Sequence, residues 1–305
     1  TNTYRMLLIL LLIVVLLLLN LLLGSVSIPA QSIWNILTGT GNEPVSWQNI
    51  VWKSRLPQAL TALAAGAGLA VSGLQMQTVF RNPLAGPSVL GISSGASMGV
   101  AFVILLSGSL GGVALSRLGV MGEIALSVAA IIGSLSVMAL IVYVSQKVKG
   151  NVTLLIIGVM IGYVSNAVIG VLKFFSVEED IRAYVIWGLG SFSRVSGNQM
   201  MLFVTLMAIS LPLSFLLIKT LNLMLLGDGY ARNLGLNIKR ARLLVIVSAG
   251  VLTAIVTAYC GPIIFLGLAV PHLARAMFQT SDHRTLMPAT LLLGAALALI
   301  CNLLA

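Results

Sequence analysis

The chain has 305 residues, of which 59% are hydrophobic and only 8% are charged, and its mean hydropathy is +1.08. A water-soluble domain of this length could not cover so much apolar surface, so the composition excludes a soluble globular protein. A net charge of +10 also raises the possibility of nucleic-acid binding. The basic residues, however, stand between apolar runs and form no stripe with interleaved aromatics, which excludes that class.

Nine apolar stretches are long enough, or nearly so, to cross a bilayer as helices. In chain order they cover residues 6–24, 56–79, 88–107, 122–145, 152–172, 200–218, 242–259, 263–278 and 286–304. Helices are favoured because lipid leaves backbone polar groups no partners except each other. The sequence therefore predicts an all-α, polytopic membrane helical bundle that forms one transmembrane domain over residues 1–305.

The positions of the Lys and Arg residues predict the orientation of this bundle. A cytoplasmic N-terminus places most of them in inner loops, as the positive-inside rule requires. The long outer loop at residues 24–54 carries three tryptophans, which is typical of a membrane interface. The long inner loop at residues 220–242 is polar and broken by glycines, which predicts two short helices that form a docking surface for a partner.

Several chemistries lack their usual residues in this sequence. The interiors of the predicted spans contain no Asp or Glu, which ion-coupled carriers generally need. A Gly-x-x-x-x-Gly-Lys-Ser/Thr loop is also missing, so the chain is not expected to bind ATP itself. His272 and His283 have no evident acidic or metal-binding partners, and His272 is interpreted as a packing or hydrogen-bonded residue. A secondary transporter driven by an ion gradient and a membrane enzyme acting on lipids are thus the less favoured alternatives.

Four segments together carry a more specific pattern. They are Arg55-Leu-Pro-Gln58 with the span that follows it, Asn82-Pro-Leu-Ala-Gly-Pro87 with Leu90-Gly-Ile-Ser-Ser-Gly95, Ala231-Arg-Asn-Leu-Gly235, and Gly261-Pro-Ile-Ile-Phe-Leu-Gly267 continuing to Pro271-His-Leu-Ala-Arg275. From about residue 50 onward the chain resembles the transmembrane permease subunit of ABC importers for iron-siderophores, haem and cobalamin. The motifs do not distinguish among these three cargoes.

The resemblance implies an assembly in the bacterial inner membrane. Members of the family have ten helices per subunit, so a final span is expected beyond residue 305. Two permease subunits, identical or paralogous, would pair around a central pathway above two cytoplasmic ATPase subunits that use ATP and Mg²⁺. A periplasmic or lipid-anchored binding protein would deliver the substrate. The chain itself would bind no cofactor or metal and would catalyse no reaction.

The resemblance also implies roles for individual residues. The cytoplasmic gate of the substrate pathway would contain Asn82, Leu84 and Asn151. The helices that couple to the ATPase would contain Asp228, Ala231, Arg232 and Gly235. Arg55 and Gln58 would lie where the binding protein docks, although the family usually has a second arginine at the position of Gln58, so docking here would rest on fewer charges or on other groups such as Lys53.

Overall fold

The computed structural model describes residues 2–109, 120–148, 150–195 and 197–305, and every regular element within these ranges is a helix. The first seven α-helices are α1 (Asn2–Leu22), α2 (Ala30–Thr38), α3 (Val45–Ile50), α4 (Leu56–Phe80), α5 (Ile92–Ser109), α6 (Val120–Lys147) and α7 (Asn151–Phe174). The remaining seven are α8 (Glu178–Gly188), α9 (Asn198–Phe215), α10 (Ile218–Leu225), α11 (Asp228–Asn233), α12 (Ile238–Cys260), α13 (Leu266–Phe278) and α14 (His283–Leu304). The predicted all-α class is confirmed.

By length and composition, six helices of the described part of the chain could cross a membrane. A seventh span arises if α9 and α10, which are bent by 46° at their junction, count as one. Pro212 lies one turn before that bend, where it removes a backbone hydrogen bond from the helix. The predicted spans at 88–107 and 263–278 correspond to shorter apolar helices, Ile92–Leu106 and Leu266–Phe278. The first is shortened because Pro87–Leu90 forms a 3-10 turn, so nine spans stay a prediction.

Helix α4 lies at the centre of the bundle, where it packs against α9, α12, α13 and α14. In the most apolar window of the continuous helix over residues 45–80, 83% of the residues are buried. Glycine makes this packing possible, because a Cβ on Gly73 would overlap the backbone carbonyl of Gly267, and one on Gly66 would overlap that of Gly294. In lipid, such close backbone contact supplies the dispersion attraction that holds helices together.

A second close contact joins α5 to α6. The sequence places Gly91, Gly95 and Gly99 at four-residue intervals, which predicts a glycine stripe for helix contact. A Cβ on Gly95 would lie only 2.6 Å from the carbonyl oxygen of Gly133 on α6. Gly99 likewise faces the backbone of Ala129. Gly95 and Gly99 therefore pack against α6 as the spacing predicts, whereas Gly91 precedes α5 and lies against Gly158 of α7.

The bundle has two ends. We call α10 and α11 together the hairpin, and the end of the bundle that contains them the hairpin end. This end also contains the loop between α4 and α5 and the beginnings of α12 and α14. The opposite end contains the end of α1, the short helices α2 and α3, the beginning of α4 and the end of α14. A π-helical turn at Val51–Arg55 joins α3 to α4, so that residues 45–80 are continuously helical.

Candidate functional site

The hairpin end carries two short helices, α10 and α11, and their role in coupling stays a prediction. Glycines with positive φ separate them from each other and from α12: Gly227 at 99° and Gly235 at 84°. Residues with a Cβ rarely adopt such angles, so glycine fixes both turns. Asn237 then begins α12, since its side-chain oxygen accepts the backbone N–H of Arg240 at 3.1 Å.

The four predicted coupling residues lie together on α11 and the turn that follows it. Asp228 begins the helix, and its side chain is 40% exposed. Ala231 is fully buried against the bundle, whereas Arg232 is exposed. Gly235 has open space around the position of a Cβ. The arrangement thus anchors one side of α11 and presents the other side to solvent.

The predicted gate residues Asn82 and Leu84 lie in the tight loop that follows α4. The side-chain oxygen of Asn82 accepts the backbone N–H of Leu84 at 2.9 Å, which forms a local Asx turn. This turn holds Leu84 at the loop tip with 70% of its surface exposed. Asn151 is the first residue of α7, and its side chain lies outside the described part of the structure.

An ion pair joins the hairpin to this loop. Arg81, which ends α4 with φ at 46°, donates to the carboxylate of Asp228 and, at 3.3 Å, to the backbone carbonyl of Met224. Arg242 of α12 lies 3.9 Å from the other carboxylate oxygen of Asp228. Asp228 therefore connects α11 to the spans α4 and α12. Arg81 is also the residue immediately before Asn82. Our reading of the sequence missed both arginines, although the position of Arg81 next to Asn82 was a usable signal.

A second polar network attaches α10 to the bundle. The buried imidazole of His283 lies 2.9 Å from the hydroxyl of Thr78 on α4 and 2.9 Å from the side-chain oxygen of Asn222 on α10. Asn222 also donates to Asp282 at 2.6 Å. The pKa of Asp282 is lowered by hydrogen bonds to its carboxylate, first from the backbone N–H of Arg284 and second from the side chain of Asn222. No local sequence pattern indicates that His283, rather than His272, is the buried histidine.

At the opposite end, Arg55 is buried and Gln58 is half-buried. Arg55 is only 7% exposed, and its guanidinium donates to the carbonyls of Leu21 at 2.7 Å, Leu22 at 3.2 Å and Val26. It thereby satisfies carbonyls at the end of α1 that lack helical partners. A docking carboxylate would have to compete for this guanidinium. Lys53, two residues earlier, is exposed.

Gln58 belongs to a chain of amides that joins three helices. It donates to the side-chain oxygen of Asn302 on α14 at 2.9 Å, and Asn302 donates to Asn20 on α1 at 2.7 Å. Asn20 in turn donates to the backbone carbonyl of Leu299 at 3.2 Å. Side-chain hydrogen bonds of this kind hold helices together where apolar burial gives little drive for association.

The described residues contain no group of three or more His, Cys, Asp or Glu side chains placed to hold a metal ion. The polar residues described above form ion pairs, helix caps and turns. Such elements position and connect helices, and the hairpin end concentrates them.

Comparison with known proteins identifies the group to which these elements belong. The FecCD transport family matches residues 11–305. The hemin transport system permease protein HmuU of Yersinia pestis is 36% identical over 93% of this chain and 81% of its own length. The vitamin B12 import system permease protein BtuC of Klebsiella pneumoniae is 36% identical over 85% of this chain and 74% of its own.

A solved structure described as an inward-facing conformation of a metal-chelate type ABC transporter shares the fold. It superposes with a TM-score of 0.83 at 28% identity and covers all of this chain and 90% of its own. The chain therefore belongs to the FecCD transport family and is a permease subunit of an ABC transporter.

Proposed function

We propose that the chain imports a metal chelate of the iron-siderophore, haem or cobalamin type across the bacterial inner membrane by alternating access. Energy would come from two ATPase subunits that dock at the hairpin end, which the excess of positive residues predicts to be cytoplasmic. The observation that carries this proposal is the contact between Asp228 and Arg81, because it gives the docking hairpin a direct connection to the loop of Asn82 and Leu84.

The route from ATP hydrolysis to the pathway follows from these contacts. Movement of the ATPases would displace α11, whose exposed side includes Arg232. Asp228 would transmit that displacement to Arg81 at the end of α4. Since Arg81 is covalently joined to Asn82, the Asx turn that holds Leu84 would move with it. The exposed Leu84 then supplies an apolar group that can open or close a passage.

The hairpin suits this role because both of its helices are attached to the bundle. Gly227 and Gly235 fix the direction of the chain on either side of α11, and Ala231 anchors the helix against the bundle. In addition, Asn222 ties α10 to His283. We expect these attachments to pass a displacement of α11 on to the spans, as in other transitions that move rigid elements about a few turn residues.

Other partners are proposed for other surfaces. A substrate-binding protein would dock at the end opposite the hairpin, where Lys53 is the exposed cation next to the buried Arg55. A second permease subunit would cover part of α7. Only 22% of the residues in the most apolar window of this helix are buried, and Tyr163 and Val164 are 72% and 63% exposed. Lipid would cover the remainder. The ATPase subunits would bind the ATP and Mg²⁺.

The substrate class rests on the relatives, whose names specify hemin and vitamin B12. Both are bulky chelates, and a wide pathway between two subunits would suit all three candidate cargoes. Uptake of radiolabelled ferric siderophore, haem and cobalamin into proteoliposomes separates them. The proteoliposomes should contain the complete transporter with its own ATPase and binding protein.

The same proteoliposomes test the energy source. We expect uptake that requires internal ATP, is blocked by vanadate and survives an uncoupler. Uptake that is abolished by the uncoupler but indifferent to vanadate would instead indicate a secondary transporter and contradict the proposal. Empty vesicles and vesicles with an ATPase variant that cannot hydrolyse ATP are the controls.

A further inference from the structure

The hairpin end contains a cavity of about 370 Å³ with an unusual concentration of positive charge. It lies between the end of α6, the helix α11 and the beginning of α12. Its charged lining residues are Lys147, Arg232, Lys239, Arg242 and Asp228. Four cationic side chains thus face one carboxylate, and Arg81 already pairs with that carboxylate from outside the lining. The excess of positive charge is suited to an anion.

Arg242 gives the cavity the character of a built site. The residue is only 8% exposed, and its Nε has no hydrogen-bond partner within the part of the chain that the structure describes. Its ionic contact among the described residues is with Asp228 at 3.9 Å, which is too long for a good hydrogen bond. A buried donor left unsatisfied is costly, so the guanidinium of Arg242, which lines this polar cavity, favours a ligand that accepts a hydrogen bond from it.

Lys147 lies in the wall of the cavity that the end of α6 forms. Its ammonium lies 2.6 Å from the hydroxyl of Tyr143 and 4.5 Å from the centre of that ring. An ammonium has three donors, so two stay available for a ligand. Tyr143 is 56% exposed at the end of an apolar span, where aromatic residues mark the membrane–water interface.

The position of the cavity decides which anion it would meet. In the apolar span α6, only 39% of the residues of its most apolar window are buried within this chain, so the other residues are available to lipid. The cavity lies where this helix ends, and a span that ends at the membrane surface would place it near the phospholipid head groups. Its volume corresponds to about twelve water molecules, which is room for a phosphate group with some of its hydration. Basic pockets at this depth commonly hold anionic head groups.

We infer that the cavity lined by Lys147, Arg232, Lys239 and Arg242 binds the phosphate of an anionic phospholipid head group. Arg242 supplies the buried donor, and Lys147 and Lys239 supply charge from the two walls. The bound head group would lie against the residues that hold Asp228, and so beside the hairpin. This inference concerns lipid binding and stands apart from the identity of the transported chelate.

Native mass spectrometry of the complete transporter tests the site. The probe is phosphatidylglycerol added to delipidated protein, compared with phosphatidylcholine at the same concentration. We expect Arg242→Gln to lower retention of phosphatidylglycerol by about tenfold, the loss expected for a charge-assisted hydrogen bond. Phosphatidylcholine retention should be weak in both proteins. Inorganic phosphate at millimolar concentration should compete only partially, because it lacks the acyl chains.

Two adjacent substitutions provide a matched control that does not disturb the buried arginine. Lys239 lines the cavity and Arg240 does not, although both are exposed on the first turn of α12 and carry the same charge. Lys239→Gln should lower phosphatidylglycerol retention several-fold, and Arg240→Gln should leave it unchanged. Equal losses in the two variants would show a diffuse electrostatic effect and overturn the inference.

Other outcomes are equally decisive. Saturable binding of inorganic phosphate without preference for phosphatidylglycerol would replace the lipid with a free anion and overturn the head-group assignment. Unchanged lipid retention in Arg242→Gln, together with loss of the ATPase subunits, would assign the cavity to an acidic side chain of the ATPase and overturn it as well.

Discussion

The carboxylate of Asp228 on α11 pairs with the guanidinium of Arg81 at the end of α4, although the two residues are 147 positions apart in the chain. Their side chains are 40% and 44% exposed, so the pair contributes little to stability. Its importance is positional, since Arg81 directly precedes the loop of Asn82 and Leu84. A weak contact of this kind can re-form in each transport cycle.

Gly235 tests the role of the turn that follows α11. Its φ of +84° is unfavourable for any residue with a Cβ, by about 1–2 kcal/mol. We expect Gly235→Ala, and more strongly Gly235→Pro, to reduce substrate transported per ATP hydrolysed while the bundle stays folded. Gly229→Ala is the control, because Gly229 also has open space but lies within α11 without a positive φ. Normal coupling in Gly235→Pro would remove this turn from the transmission route.

Gly73 tests the packing at the centre of the bundle. A Cβ there would overlap the backbone of Gly267, which cannot move aside as a side chain can. We expect Gly73→Ala to lower the free energy of unfolding by about 1–3 kcal/mol or more, measured by thermal or denaturant unfolding in detergent. Gly170→Ala, in a helix position with open space, should be neutral or slightly stabilising. Equal stability of both variants would contradict the close approach of α4 and α13.

Arg55 is a test of structure against docking. Because its guanidinium satisfies carbonyls at the end of α1, Arg55→Gln should lower the free energy of unfolding by about 1.5–3 kcal/mol. Lys53→Gln should leave stability unchanged but weaken stimulation of the ATPase by the binding protein. The reverse pattern, with a stable Arg55→Gln protein that no longer responds to the binding protein, would restore Arg55 as the docking residue.

Asn222 tests the attachment of α10. Its side chain bonds to the backbone and ring of His283 and to Asp282, so Asn222→Ala removes three contacts at once. We expect faster hydrogen exchange in residues 218–233, with little change in α4 or α12, because the hairpin would open locally. Lys219→Gln, on the exposed side of α10, is the control. Unchanged protection in Asn222→Ala would show that α10 is held by apolar contacts alone.

Hydropathy and small-residue spacing predicted much of the fold. The long apolar runs all form helices, and the glycine stripe of α5 packs against α6 as its spacing indicated. Hydropathy does not register where a chain turns, however, and so the beginning of α5 was placed several residues too early, within the 3-10 turn at Pro87–Leu90. Orientation and the number of spans depend on the membrane, and they stay predictions.

The site was predicted unevenly for a similar reason. Positive φ at Gly227 and Gly235 matches the glycine breaks seen in the sequence. The partners of Asp228, by contrast, come from α4 and α12, and no local pattern specifies contacts between residues so far apart. For Arg55 the motif predicts a docking role, which stays a prediction, whereas its contact with the end of α1 joins distant parts of the chain and has no local sequence signal.

A double-mutant cycle on Arg81 and Asp228 tests the central claim most directly. Arg81→Gln, Asp228→Asn and the double variant would be reconstituted with the ATPase and binding protein, and substrate transported per ATP hydrolysed would be measured for each. Arg284→Gln, an exposed basic residue at the same end of the bundle, serves as the control for lost charge.

If the pair transmits movement, each single variant should lose about fivefold in this ratio, equivalent to ~1 kcal/mol, and the double variant should lose no more. Losses that multiply in the double variant, or single variants that transport as efficiently as the wild type, would contradict a connection between the hairpin and the loop of Asn82 through this pair.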